Sequence, residues 1–473
     1  MCSIVIRTVW LASALALGAC QTAAPSASVL PFEGSMIEAG ERSGAPGIVA
    51  AVLRDGEVVE MFAWGGADCS GTGAANPFAS YEIGSISKHI TAVALLQLWE
   101  RGQVELDAPV GRYLDDIPEA WRAVTLRQLL THTGGVPDYE EAGGYGVYET
   151  TPTPAEVYAI LDDPALEFEP GAQWRYSNTG YFMLSLVVQR VSGERFGDYL
   201  RDRLFAPHGL DDTFMGGYAP DNAVMAQGCR PGEAEGAALI PVRPISEAST
   251  FGAGGISSTL EDWADWDDAL FEGRLLQPRS MHALLTPQHL STGEDTGYAF
   301  GIVVEDFRGV QKFGHSGQTQ GFVADYAHYP ERGFSTIVFG NAYGGGVGAV
   351  SRALALRVMP ELSHDRLPPA ADPDARRTEQ ASRALRQLVL NEAPLDLLSA
   401  DLQPVATSER YAGVRASLRP YAEKADGIVF LRSDAEDDDV VRDIYRIMLD
   451  GETQYLNFYW RNGALVGLRR EDE

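Results

Sequence analysis

The stretch IGSISKHITA, residues 83–92, sets Ser85 three positions ahead of Lys88. Lysine is scarce in this chain: of 37 basic residues, only those at 88, 312 and 424 are lysines. Arginine stays protonated at any ordinary pH, whereas a buried lysine can shed its proton and act as a base. The run that follows, HITAVALLQLWERG, has helical spacing and stops at Gly102, a suitable residue just past a helix end. A helix starting near Ser85 places serine and lysine one turn apart on one face, with the serine in the favourable field of the N-terminus. The pair predicts a nucleophilic serine and its lysine base. The plainer reading is an N-capping serine and a surface lysine, so the companions decide.

A second candidate group lies in PGAQWRYSNTGYFML, where Tyr176 and Asn178 precede an apolar helix starting near Gly180. A tyrosine there can relay a proton, and the asparagine can hold a substrate carbonyl or the lysine. The third requirement is a strand edge that offers a backbone N–H to a carbonyl oxygen. Two triplets compete for that place. His132-Thr133-Gly134 follows the helix TLRQLL and enters a glycine-rich loop, whereas His315-Ser316-Gly317 lies between the alternating runs VQKFG and FVADYAHY. Strand context selects His315, and Gly317 is expected to let a substrate backbone approach. Tyr139, Tyr145 and Tyr148 either line the entrance or serve ordinary loop packing.

In this order, S-I-S-K, Y-S-N and H-S-G resemble the motifs of the serine β-lactamase and penicillin-binding protein superfamily. The nearest likeness is to its class C-related branch of D,D-peptidases, D-aminopeptidases and esterases. TLRQLLTHTGGVPDY, FEPGAQWRYSNTGY and GAGGISSTLEDWADW extend the resemblance over about residues 32–360. It implies that Ser85 is acylated, Lys88 is its base and Tyr176 is the second acid/base. Asn178 then positions the acyl side chain or Lys88, and His315 assists at the substrate carboxylate or leaving group. The backbone N–H groups of Ser85 and Gln318 form the implied oxyanion hole, beside Ser316 and Gly317. Efficient β-lactamases of this branch carry lysine in the third triplet. A mostly neutral histidine at 315 holds a carboxylate less well, which favours ester, amide or peptide substrates. Two alternatives stand beside this serine hydrolase: a β-lactamase or penicillin-recognising cell-wall protein with little turnover, and a binding protein whose C-terminal module is the active part.

These groups need a rigid frame. GIVAAVLRDGEVVEMFAWG reads as a hairpin turning at Asp55-Gly56. Residues from about 85 to 290 are mostly helical, and three or four strands follow from GYAFGIVVED to FSTIVFGNA, closed by a helix over Val347 to Val358. The predicted fold is α/β in the α+β sense: a β-lactamase/transpeptidase-like antiparallel sheet built from both chain ends, flanked by helices, with a large helical insertion. The terminal helices are expected to cover one sheet face. HDRLPPAADPDARR marks a linker at 363–375 after the domain at 32–362. Residues 376–473 read as a small α+β domain with turns at Asp450-Gly451 and Asn462-Gly463, weakly resembling cystatin/NTF2-like modules.

The formal charge of −29 repels nucleic acid and anionic head groups, which excludes a polyanion-binding surface as the main role. Neither C-x-x-C nor H-E-x-x-H occurs, so no metal or cofactor is expected. DAEDDD lacks the alternating ligands and glycine of a calcium loop and reads as a solvated segment. Residues 1–19 resemble a bacterial export signal, with Arg7 before an apolar run too short to span a bilayer. The ending Leu17-Gly18-Ala19-Cys20 resembles a lipobox, which implies lipidation of Cys20 and a tether at 20–31. The expectation is an exported, membrane-anchored lipoprotein of the outer membrane or periplasm, acting on a small ester, amide or peptide. Cys69 and Cys229 remain, their pairing undetermined by sequence, as is the oligomeric state.

Overall fold

A computed structural model describes residues 28–144, 147, 152–234, 236–246, 251–344, 346–370, 375–437, 439–449 and 451–471. The export signal, Cys20, Tyr145 and Tyr148 fall outside the described residues. Among the described residues no helix is long and apolar enough to cross a membrane.

Chain ends and middle build one seven-stranded sheet in the order Val29–Pro31, Glu57–Gly65, Gly47–Arg54, Phe334–Gly340, Val323–Tyr329, Val310–Gln318 and Val303–Phe307. All neighbours are antiparallel except the short edge strand Val29–Pro31, which runs parallel to Glu57–Gly65. The Asp55-Gly56 turn takes positive φ at both residues, 50° and 76°, the type I′ pattern that matches strand twist. Gly47–Arg54 is apolar almost throughout because both of its faces are covered. Ile48, Ala50 and Val52 join one core with the helices Ser35–Ser43 and Val347–Val358, so the terminal helices do share a face. Val49, Ala51 and Leu53 point to the opposite core, made with the insertion.

The centre of that second core is the helix Ser87–Glu100, in which every residue from Ser87 to Leu96 is buried. Such a helix is enclosed all round rather than amphipathic, which makes it a rigid mount for Lys88. Asn178–Ser192 packs beside it, capped by the Ser177 hydroxyl, which accepts from the Gly180 N–H at 3.3 Å. Cys69 and Cys229 form a disulfide, 160 residues apart in sequence.

After the Val347–Val358 helix, a second unit begins with Ala375–Leu390. This helix and Ala412–Glu423 cover one face of a four-stranded antiparallel meander of Val429–Asp437, Val440–Leu449, Glu452–Arg461 and Ala464–Glu471. Its last turn again has positive φ at Asn462 and Gly463, as the Asn-Gly pair predicts. Tyr445, Leu456 and Phe458 face the helices. By strand register, Arg442, Asn457, Tyr459 and Arg469 share the other face.

Candidate active site

Ser85 sits in a single 3₁₀ turn, Gly84–Ile86, that runs straight into the buried Ser87 helix. Two glycines press this turn against the end of the Val310–Gln318 strand. Gly84 has φ +54°, and a Cβ there would stand 2.4 Å from the Gln318 nitrogen. A Cβ on Gly317 would stand 1.9 Å from the Ile83 carbonyl oxygen and 3.2 Å from the Ser85 nitrogen. The sequence suggested that Gly317 makes room for a substrate backbone. The structure shows that the backbone requiring that room is the protein's own, at Ile83. The close approach brings the backbone at Ser85 and Gln318 together, where the expected oxyanion donors lie. They border a cavity of ≈ 410 Å³ lined by Ser85, Tyr176, His315, Ser316, Gly317 and Gln318, among others.

Lys88 is fully buried, and its Nζ donates to Asn178 Oδ1 at 2.7 Å, the Ala253 carbonyl at 2.7 Å and Ser85 Oγ at 3.0 Å. Loss of solvent pushes its pKa down to about 7, opposed by the negative fields of Glu140 and Asp138. A neutral amine keeps two N–H bonds and one lone pair. With Asn178 and Ala253 taking the N–H bonds, the lone pair faces Ser85, as a base for its hydroxyl requires. The neutral form grows as pH rises through about 7, so kcat/KM is expected to climb across pH 6–8 to a plateau. A pH–rate profile checks this, and a profile flat from pH 5 to 9 contradicts it.

Tyr176 lies under the same amine, its ring centroid 4.7 Å from Lys88 Nζ. Its hydroxyl is buried, faces Ser85 and has no partner of ordinary hydrogen-bond geometry among the described residues. Burial holds the phenol well above its usual pKa, so at neutral pH it keeps its proton and is able to donate it. Asn178 is the first residue of its helix. Its Oδ1 takes Lys88, and its Nδ2 donates to Asp138 Oδ2 at 3.0 Å and Glu140 Oε2 at 2.8 Å. Of the two roles open to it, the geometry shows the one toward Lys88.

His315 lines the cavity, and burial first, then the charge of Lys88, lower its pKa to about 4. It is neutral at pH 7. Carbonyl oxygens only accept, so its Nδ1 donates to the Ser316 carbonyl at 2.5 Å. Its Nε2 then accepts from Tyr298, 3.0 Å away, and the Tyr298 oxygen accepts from His132 Nε2 at 3.1 Å. The chain ends where the Ser177 N–H donates to His132 Nδ1 at 3.1 Å. One set of tautomers satisfies all four contacts. The two histidines that compete as sequence triplets are therefore linked: His315 borders the cavity, and His132 supports it from behind.

The structure thus brings together Ser85, Lys88, Tyr176, Asn178, His315, Ser316, Gly317 and Gln318 from three separate stretches. Sequence reasoning missed Asp138, Glu140, Tyr298 and the Ala253 carbonyl, and it set His132 aside. All five fall inside or beside quoted stretches, but nothing in their spacing reports which partner they meet. Tyr139 is wholly buried against a side pocket shared with Ser85, Glu140 and Asn178, rather than exposed at an entrance.

A serine paired with a buried lysine, beside a tyrosine and a strand end, is an arrangement suited to acyl transfer. The chain belongs to the beta-lactamase family, whose model matches residues 32–358, and it is a hydrolase of that family. It is 29% identical over 283 residues to PbpX of Bacillus subtilis (strain 168), named among the penicillin-binding proteins, covering 57% of this chain and 68% of that one. It is 27% identical over 325 residues to the D-aminopeptidase of Brucella abortus (strain S19), covering 67% of this chain and 60% of that protein. Among solved structures it is similar to a D-stereospecific amidohydrolase from Streptomyces, with 26% identity and a TM-score of 0.57 over 67% of this chain and 97% of that one.

Proposed function

We propose that this protein is an amidase or aminopeptidase-like hydrolase for small substrates with a free ammonium on the acyl side, of D configuration. The observation that carries this reading is the acidic pair behind the nucleophile. Asp138 and Glu140 both accept from Asn178, and Glu140 lines a side pocket with Ser85 that has room for about one water-sized group. A group of that size and opposite charge is an ammonium. Its arrival would offset the two carboxylates, which otherwise favour protonated Lys88, and would add a like charge near the lysine. Substrate binding then helps produce the neutral base. The relatives named as a D-aminopeptidase and a D-stereospecific amidohydrolase support the stereochemistry, and a neutral His315 where a β-lactam carboxylate would bind supports amides over lactams.

In this reading Ser85 Oγ attacks the acyl carbon as its proton passes to Lys88, and the oxyanion forms against the Ser85 and Gln318 N–H groups. Tyr176 gives its proton to the departing nitrogen as the C–N bond breaks. The Lys88 ammonium then returns a proton to the Tyr176 phenolate. Water attacks the resulting ester, its proton is taken by the Tyr176–Lys88 pair, and Ser85 recovers its own as it leaves. The leaving group occupies the larger cavity beside Ser316 and Gly317.

A test compares D-alanyl p-nitroanilide with its N-acetyl form. The free amine is expected to react at least about tenfold faster, and Glu140→Gln should remove most of that preference while sparing the acetylated substrate. Equal rates on both substrates in the unaltered protein would sink the reading. We also propose export and lipid attachment at Cys20. Metabolic labelling with a radioactive fatty acid should be lost in Cys20→Ser, and labelling that survives the substitution rules the anchor out.

A further inference from the structure

The outer face of the C-terminal sheet lies over the edge of the hydrolase sheet and encloses a second cavity of ≈ 360 Å³. Faces buried between domains are usually apolar at their centre. Among the described residues Leu431, Ile444 and Tyr455 of this face pack against Leu367 of the linker, and the neighbouring space carries many charged groups beside Phe307, Tyr329 and Tyr459. Arg308, Lys312 and Arg352 line it from the hydrolase side, with Arg442 and Arg469 from the outer face of the C-terminal sheet. Five cationic residues thus converge in a chain of net charge −29.

Three acids share the lining: Glu305, Asp306 and Asp325. Glu305 is engaged by Lys312 at 2.7 Å, and Asp306 accepts the Gly309 N–H at 2.8 Å. Asp325 is buried enough that its carboxylate form is disfavoured, even with Lys312 and Arg352 nearby. Arg442 pairs with Asp434 at 3.0 Å, Arg308 donates to the Leu362 carbonyl at 2.8 Å, and Arg469 stacks over Tyr459. Arg352 Nε is buried with no hydrogen-bond partner among the described residues. Like charges from two domains therefore face each other across a gap that local acids compensate only in part. An anion between them converts that repulsion into attraction from both sides.

We propose that this interdomain cavity is a binding site for a small anion bearing two or more carboxylate or phosphate groups. Lys312 of the hydrolase sheet and Arg352 of the Val347–Val358 helix hold it from one side, and Arg442 and Arg469 of the C-terminal sheet from the other. Guanidinium forks suit both head groups, so the chemistry they share is a compact polyanion. The cavity has Asp325 and Gly348 in common with the catalytic one, which places the occupant next to the Ser85 site without using its reacting groups. The proposal does not depend on which amide or ester the enzyme cleaves.

Calorimetric titration of the whole protein with propane-1,2,3-tricarboxylate and, separately, pyrophosphate tests it. At least one probe should bind saturably at one site per chain, more weakly as salt rises. Arg352→Gln and Arg469→Gln should each weaken binding by about tenfold or more, and the corresponding lysine variants by less. Ser85→Ala should bind as the unaltered protein does. Melting profiles without ligand establish that the variants are folded. The proposal is overturned if neither probe saturates, if folded glutamine variants bind unchanged, or if Ser85→Ala abolishes binding.

Discussion

Lys88→Arg is expected to lower kcat/KM by about 10³-fold or more, although charge and helix propensity are kept. Guanidinium holds its proton at every pH where the protein is folded, so no lone pair can face Ser85. The loss should be nearly independent of pH, and the rise through about 7 should vanish with it. Lys88→Met serves as the control for volume: it removes the base without the larger head group and should lose activity equally. The kinetic comparison separates a chemical role from a packing role. If arginine at 88 retained activity within about tenfold, Lys88 would be a structural cation and Ser85 would need another base.

Gly317→Ala is the second large effect, with kcat expected to fall about 10²- to 10³-fold, the size of losing one oxyanion donor. One added methyl group would meet the Ile83 carbonyl oxygen at 1.9 Å, a separation no contact tolerates. The strand end and the Ser85 turn must part, and the Gln318 N–H moves away from the Ser85 N–H. The same shift costs about 1–3 kcal/mol of stability by overpacking. Burst kinetics with a chromogenic ester distinguish the two consequences. A folded variant should show slow acylation with little change in KM, whereas an unchanged acylation rate would place the oxyanion site elsewhere.

Much of the frame was legible because its signals are local. Asp55-Gly56 announced its hairpin through the φ values that pair adopts, and the helix over Val347–Val358 ended where its apolar spacing did. Ser85 and Lys88 were legible for the same reason, since one helical turn suffices to bring them together. What stayed hidden depends on contacts between distant segments. Asn178 meets Lys88 across 90 residues and Asp138 across 40, and no periodicity encodes which neighbour an amide will choose. His132 and His315 looked like rivals because each carries the same triplet form. Only the intervening Tyr298 shows them to be parts of one hydrogen-bonded chain. The Cys69–Cys229 pair was undecidable for a related reason, since two cysteines give no distance. Arg442 and Arg469 lie on different strands of the C-terminal sheet, and no local pattern reports that both border a cavity shared with the hydrolase domain.

Acyl transfer through Ser85 is the claim on which the rest depends. Mass spectrometry of the protein after brief exposure to a fluorophosphonate, followed by peptide mapping, tests it most directly. One adduct per chain is expected, on the peptide containing Ser85, formed faster above pH 7 than below, and absent from Ser85→Ala. An adduct that forms equally in Ser85→Ala, or that maps to another residue, would contradict the account.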